Sequence, residues 1–281
     1  MNNFCVFILT HGRPEKVITL ETLKKLGYNG DVYLVIDNED STADEYYNKY
    51  GRDKVIMFDK LKISKEFDTG DNFDDRRTIV YARNACFKIA KDLGYKYFLE
   101  LDDDYTSFMF RFIENNKLKS KEPKDINKIF ESMIKFLQCD KITTVAFAQG
   151  GDFVGGVNGQ FNKKVLRKAM NSFFCDVDKP FTFVGRINED VNTYTSLGQR
   201  GVIMLTITDF MLNQLQTQSN KGGMTDVYLA SGTYLKSFYS VMYSPSCVKV
   251  AIMNTENKRI HHKVNWNNCS PKILNERWKK W

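Results

Sequence analysis

The stretch Tyr95-Lys-Tyr-Phe-Leu-Glu-Leu-Asp-Asp-Asp104 decides the fold. Its run up to Leu101 has the length and aromatic content of a strand, and three consecutive carboxylates, Asp102, Asp103 and Asp104, close it. Adjacent negative charges at the mouth of a buried strand repel one another unless a cation sits among them. Hard oxygen ligands favour Mg²⁺ or Mn²⁺, which keep positions open for water and phosphate. Strands of an open α/β sheet deliver their C-terminal ends to the ligand crevice, so the placement points to a metal–diphosphate site. The competing reading is an acidic, solvated surface turn.

Outward from this strand, strand and helix signals alternate. Arg76–Leu93 carries Ile79, Val80, Cys86, Phe87, Ala90 and Leu93 at helical spacing and stops at Gly94. Phe4–Leu9, Val32–Ile36 and Val55–Phe58 read as strands, with helices over Pro14–Leu26 and from Ser41 to Tyr50. This rhythm predicts an α/β fold with a mostly parallel, doubly wound central sheet flanked by helices. Between Lys60 and Asp75 the pattern fails, leaving an acidic loop that is either a flap or surface decoration. Downstream, a helix over Pro123–Cys139 and a strand over Thr143–Ala148 lead to a glycine-rich hairpin through Gly150, Gly151, Gly155, Gly156 and Gly159. A helix over Lys163–Ser172 follows, and the strand-rich Val202–Thr208 and Tyr239–Ile252 supply a smaller sheet.

The 281 residues are 42% hydrophobic and 27% charged, with 5 Pro, the balance of an ordinary globular chain without a membrane span. The start lacks a basic leader and a long apolar core, so a cytoplasmic protein is expected. Six scattered cysteines without a CxxC pair argue for reduced thiols over a zinc site or disulfide framework. Residues 258–281 hold seven Lys or Arg against one acid, Glu276, so most of the formal +7 lies there, with Trp266, Trp278 and Trp281. A basic surface with stacking rings suits nucleic acid, or else it is a C-terminal helix that docks through its tryptophans. The expected division is 1–257 as one domain and 258–281 as a basic extension.

The ordered set Thr10-His11-Gly12-Arg13-Pro14, Asp37, Ala82-Arg83-Asn84-Ala85 and Leu101-Asp102-Asp103-Asp104 resembles the donor half of GT-A glycosyltransferases. The later Gly155-Gly156-Val-Asn-Gly-Gln-Phe-Asn-Lys-Lys and Asn188-Glu189-Asp190 resemble their acceptor half. The run as a whole looks most like the phage TET-associated glycosyltransferases. One departure is that Leu197-Gly-Gln-Arg-Gly201 holds only part of the Gln-x-x-Arg-Trp segment of processive polysaccharide synthases. The resemblance implies a GT-A-like fold with a donor half over about 1–110 and an acceptor half over about 140–257. It implies transfer from a nucleotide sugar, UDP-linked by expectation, to a hydroxyl, with hydroxymethylated pyrimidines of DNA as acceptor, in a host cytoplasm during phage infection. A protein or glycan acceptor, a nucleotidyltransferase and an idle nucleic-acid-binding module are the rival readings.

In that reading Asp102 and Asp104 hold Mn²⁺ or Mg²⁺, and Asp103 holds ribose or braces the loop. His262, or its neighbour His261, is the third ligand, against the alternative that both face nucleic acid or a core. Arg13 and Arg83 clamp the diphosphate, although Arg83 could be an ordinary helix-to-acid ion pair. Thr10 and Asp37 lie where base or ribose would sit, with a cap role competing for Asp37. Asp190 is the expected base, supported by Glu189, against a simple helix-dipole role for the pair. Tyr105, Phe161 and Tyr194 are candidate stacking rings, with core packing the default.

Overall fold

In the computed structural model, which describes residues 3–139, 141–163, 165–215, 227, 235–253 and 259–269, β1 (Phe4–Leu9) is buried along its whole length. Both its faces are covered. Phe4, Val6 and Ile8 enter one apolar cluster with Leu34, Ile36, Leu99 and Leu101, while Cys5, Phe7 and Leu9 enter another with Val35 and Phe98. A strand covered on both faces reads as a continuous apolar run, which is why this element was legible in sequence.

The chain continues through α1 (Ile18–Lys25), β2 (Asp31–Asp37), α2 (Ala43–Tyr50), β3 (Val55–Phe58), α3 (Lys60–Ser64), α4 (Val80–Asp92) and β4 (Tyr97–Asp102). Next come β5 (Tyr105–Glu114), β6 (Lys117–Lys121), α5 (Ile126–Leu137), β7 (Ile142–Ala148), β8 (Val165–Leu166) and β9 (Ser172–Asp176). The last elements are α6 (Glu189–Gln199), β10 (Ile203–Gln214), α7 (Leu235–Tyr243), β11 (Val248–Met253) and β12 (Arg259–Val264). The large sheet runs β3-β2-β1-β4-β9-β7-β10-β5-β6, with β8 on β10, and β11 pairs with β12 separately. From β3 to β4 all neighbours are parallel, the doubly wound half expected from the βαβα rhythm. β9 then lies antiparallel between β4 and β7, and β7 and β10 are parallel again. Amphipathic α5 buries Ile126, Ile129, Phe130, Met133, Ile134 and Leu137 on this sheet. Each contributes roughly 1.5–3 kcal/mol of apolar transfer.

Several local expectations are corrected. Lys163–Ser172 is no helix: Val165 and Leu166 pair with Ile207 and Thr206 of β10, so a sheet contact overrides a weak helical pattern. The glycine-rich stretch is no hairpin but three 3₁₀ turns, Gly150–Phe153, Gly156–Asn158 and Gln160–Lys163. Gly155 and Gly156 sit at φ 89° and 56°, which a side chain disfavours. Tyr239–Ile252 divides into the end of α7 and β11. Within the patternless Lys60–Asp75, α3 forms because Asp59 caps it, accepting from the Lys62 N–H. α1 starts at Ile18 and α4 at Val80, later than periodicity suggested. The six cysteines are free thiols. No helix among the described residues is long and apolar enough to cross a membrane. Trp278, Trp281 and most of the basic extension lie outside the described residues.

Candidate functional site

The parallel strands β1, β2 and β4 end together, which gathers Thr10, Asp37 and the carboxylate triplet at one sheet edge. Strand alternation then sorts the acids by face. Glu100 and Asp102 turn toward α4, where Arg83 meets them, while Asp103 turns toward Thr10 and Arg13.

Arg83 is 1% exposed and carries three acids. Its Nη2 donates to Asp102 Oδ1 at 3.0 Å and its Nε to Glu189 Oε1 at 3.1 Å, while Nη1 stands 3.7 Å from Glu100 Oε2. The guanidinium also lies 4.8 Å from the centre of the Phe173 ring. All three of its nitrogens are thus directed at acids. Glu100 is fully buried, and burial pushes its carboxyl up to about 8 despite Arg83. Burial also raises Asp102 against the pull of Arg83.

Asp103 accepts from Thr10 Oγ1 at 2.7 Å and lies 3.3 Å from Arg13 Nη2. Burial raises it to about 6, with Arg13 and Thr10 opposing. Thr10 is thereby occupied inside the protein, its hydroxyl also 2.8 Å from Tyr46 Oη. Tyr46 in turn accepts from the Arg13 backbone N–H at 2.9 Å, fixing the turn after β1. Arg13 Nε is buried without a hydrogen-bond partner among the described residues. Asp104 differs from its neighbours, because no cation among the described residues pairs with its carboxylate. Burial, then the charges of Asp102 and Asp103, push it up to about 7.

At the end of β2, Asp37 Oδ2 lies 2.7 Å from His11 Nδ1 and 3.1 Å from Lys60 Nζ. Burial alone would raise this carboxyl, but His11 and Lys60 outweigh it and hold it below the ordinary range.

The acceptor side begins at Asn188, whose left-handed φ of 60° turns the chain into α6. Glu189 and Asp190 follow, each 7% exposed. Burial, moderated by Arg83 and reinforced by Asp190, pushes Glu189 up to about 7. Asp190 is raised by burial too, and its Oδ1 accepts from the Val191 N–H at 2.7 Å. His262 Nδ1 is 3.3 Å from Asn188 Nδ2, and burial, with the charges of His261, Lys236 and Lys168, lowers it to about 3.

The structure thus joins Asp102, Arg83 and Glu189 in one buried chain of contacts, with Asp103, Thr10 and Arg13 alongside. Among the described residues no three or more His, Cys, Asp or Glu side chains form a ready-made metal cage, so His262 and the triplet are not gathered into one. Cation chemistry still fits the donor set. Asp104 is a crowded carboxylate that pairs with no cation among the described residues, Arg13 only easing its repulsion from Asp102 and Asp103, and Mg²⁺-type sites commonly take only one or two carboxylates, with phosphate and water completing the sphere. Tyr105, Phe161 and Tyr194 are core residues. Sequence reasoning missed Lys60, Tyr46 and Glu100. Of these only Glu100 had a signal, an acid inside an otherwise apolar strand.

Residues 4–223 match the family described as TET-Associated Glycosyltransferase. The comparison with curated proteins gives no match. Among solved structures, glucosyl-3-phosphoglycerate synthase from Mycobacterium tuberculosis, with Mg²⁺ and uridine diphosphate, is 9% identical, covering 93% of this chain and 87% of that one with TM-score 0.48. Mannosyl-3-phosphoglycerate synthase from Rubrobacter xylanophilus is 11% identical, covering 93% and 86% with TM-score 0.39. TarS from S. aureus is 15% identical, covering 85% and 65% with TM-score 0.40.

Proposed function

From the premise that this chain belongs to the TET-associated glycosyltransferase family, we propose that it moves a sugar from UDP to the hydroxyl of a 5-hydroxymethylpyrimidine in DNA. The observation that carries the reading is the single guanidinium of Arg83 spanning Asp102 and Glu189. It ties the strand-end carboxylates to the Glu-Asp pair, so a donor gripped at one lies beside a base at the other.

A divalent cation, Mn²⁺ or Mg²⁺, on Asp102 and Asp104 would neutralise the departing nucleoside diphosphate as the sugar–oxygen bond breaks. His262, neutral and 3.3 Å from Asn188 Nδ2, stands apart from the triplet in this structure and is our candidate third ligand for a cation that draws the two together. Arg13 offers its unpartnered buried Nε and its Nη2 to the donor phosphates. Asp103 braces the turn through Thr10 and Arg13. Asp37, fixed by Lys60 and His11, takes the base or ribose of the donor. Arg83 acts as a positioning residue for Asp102 and Glu189. Asp190 has Oδ1 occupied by the Val191 N–H, which leaves Oδ2 to receive the proton of the attacking hydroxyl. Burial makes that carboxylate more basic than an exposed one. A base in duplex DNA would leave the stack to reach it. We place the reaction in the cytoplasm of an infected host cell, and assign 1–257 to the transferase domain and 258–281 to a basic extension.

The test is incubation with Mn²⁺, a panel of UDP-sugars and DNA containing 5-hydroxymethylcytosine, followed by nucleoside mass measurement. A glycosylated nucleoside with UDP release supports the reading. Transfer only to protein or glycan acceptors, or release of pyrophosphate, sinks it.

A further inference from the structure

Arg186 is a buried guanidinium outside the Arg83 contacts, 4% exposed and three positions before Glu189. Its Nε donates to Asp71 Oδ2 at 2.7 Å, its Nη1 to Asp75 Oδ2 at 3.3 Å and its Nη2 to Tyr239 Oη at 3.3 Å. Tyr239 in turn donates its hydroxyl hydrogen to Asp71 Oδ2. All three nitrogens are therefore engaged, two by the acidic segment 68–75 and one by α7. A buried charge persists only when it is paired and hydrogen-bonded, so the segment cannot leave without stranding this one. The acidic loop is thus a strap fastened to the fold and not surface decoration.

The strap is fastened along the stretch that delivers the Glu-Asp pair. Residues 183–188 form no helix or strand, so their backbone N–H groups need partners elsewhere. Phe183 N–H donates to Asn84 Oδ1 of α4 at 2.8 Å, and Val184 N–H to Thr193 Oγ1 of α6 at 3.1 Å. Gly185 N–H and Arg186 N–H donate to the Asp68 and Thr69 carbonyls of the strap, each at 2.8 Å. The Tyr243 hydroxyl of α7 donates to the same Asp68 carbonyl at 3.0 Å. At its other end the strap reaches the donor side. Arg76 Nε donates to Glu39 Oε1 at 2.8 Å, and the Glu39 N–H donates to Asp37 Oδ1 at 3.1 Å. One connected run of contacts leads from Asp37 through the strap to the threshold of α6.

We propose that Arg186 is a positioning residue for sugar transfer, latching the strap onto residues 185–186 and so holding Asp190 where the acceptor hydroxyl attacks. The assignment rests on the reading of Asp190 as the base. The nitrogens of Arg186 are all engaged elsewhere, so it acts on the pair through the backbone of residues 187 and 188. A shift in so short and irregular a link moves the base relative to the donor, and small misplacements cost catalysis dearly.

The experiment is a double-mutant cycle on the full chain, reading transfer from a UDP-sugar with Mn²⁺ to DNA containing 5-hydroxymethylcytosine. Arg186→Gln should lower kcat on the order of 10²-fold. The KM for the UDP-sugar and the number of UDP–Mn²⁺ sites per chain should stay as in the wild type. In the Asp190→Asn background the same substitution should cost nothing further, because the base it places is already gone. Asp71→Asn, a milder change at a partner on the strap, should give a smaller loss that likewise vanishes in the Asp190→Asn background, and it carries the test should Arg186→Gln fail to fold. Losses that multiply with Asp190→Asn, or that follow a falling number of UDP–Mn²⁺ sites, would mark Arg186 as merely structural and overturn the assignment while the base reading stands. A wild type without transfer, or an Asp190→Asn variant with full activity, would instead bring down the reading beneath it, and the assignment with it.

Discussion

Arg83 and Glu189 lie 106 residues apart in the chain, yet Nε of one donates to Oε1 of the other at 3.1 Å inside the protein. The same guanidinium holds Asp102 at 3.0 Å, so one buried cation sets the spacing between the strand-end triplet and the Glu-Asp pair. A lysine carries the charge but not the fork, and cannot serve both acids in these directions. Arg83→Lys should lower sugar transfer on the order of 10²-fold through misplacement of both groups. Arg83→Met should cost about 3–5 kcal/mol in urea unfolding, because it strands buried carboxylates. Full activity in Arg83→Lys would remove the positioning role.

Asp104 sits beside two other carboxylates and forms no ion pair among the described residues, the charge of Arg13 offsetting its neighbours only in part. Asp104→Asn removes repulsion from the metal-free protein and should leave its melting temperature unchanged or raised. The same substitution should abolish the Mn²⁺-dependent part of UDP binding in calorimetry. A variant that melts lower and still binds UDP with Mn²⁺ would contradict the cation assignment.

Folding raises two carboxyls to about 7, Asp104 from 3.8 and Glu189 from 4.5. Each holds its proton more tightly folded than unfolded, so its contribution to stability is complete below the unfolded range near pH 4 and is lost as pH rises through about 7. The metal-free protein should accordingly melt at a higher temperature at about pH 6 than at about pH 8. UDP with Mn²⁺ should bind better at the higher pH, because the ligand carboxylate must be ionised. Differential scanning calorimetry with and without Mn²⁺ checks both signs, and Asp104→Asn should flatten the first trend.

Asp190 has one oxygen fixed by its own helix start and one left to take a proton. Asp190→Asn should reduce transfer 10²–10⁴-fold, the usual contribution of a general base. Donor binding and the melting curve should stay near wild type. A variant retaining most of its turnover would move the base elsewhere, with Glu189 the next to test.

Much of this was legible because it is local. Strands buried on both faces announce themselves as apolar runs, and Tyr97–Asp102 ends in carboxylates whose chemistry needs no partner to be read. The same locality explains the failures. Val165 and Leu166 look helical until β10 supplies an edge to pair with, and the strand role of Ser172–Asp176 depends on neighbours on both sides. Lys60 carries no sequence sign of its engagement with Asp37, since the contact arises only because β2 and β3 are parallel neighbours.

The sequence by itself determined the alternating order of elements, the strand that ends in Asp102-Asp103-Asp104, and the helix start at Glu189-Asp190, because periodicity and side-chain type act within a few residues. Only the tertiary structure decided that Arg83 turns inward to join those two motifs, that β9 enters antiparallel between β4 and β7, and that Trp266 lies on Tyr194. These relations link residues tens to more than a hundred positions apart. Burial makes an unpaired charge or an exposed ring costly wherever the chain happens to bring it, and no local pattern records that cost.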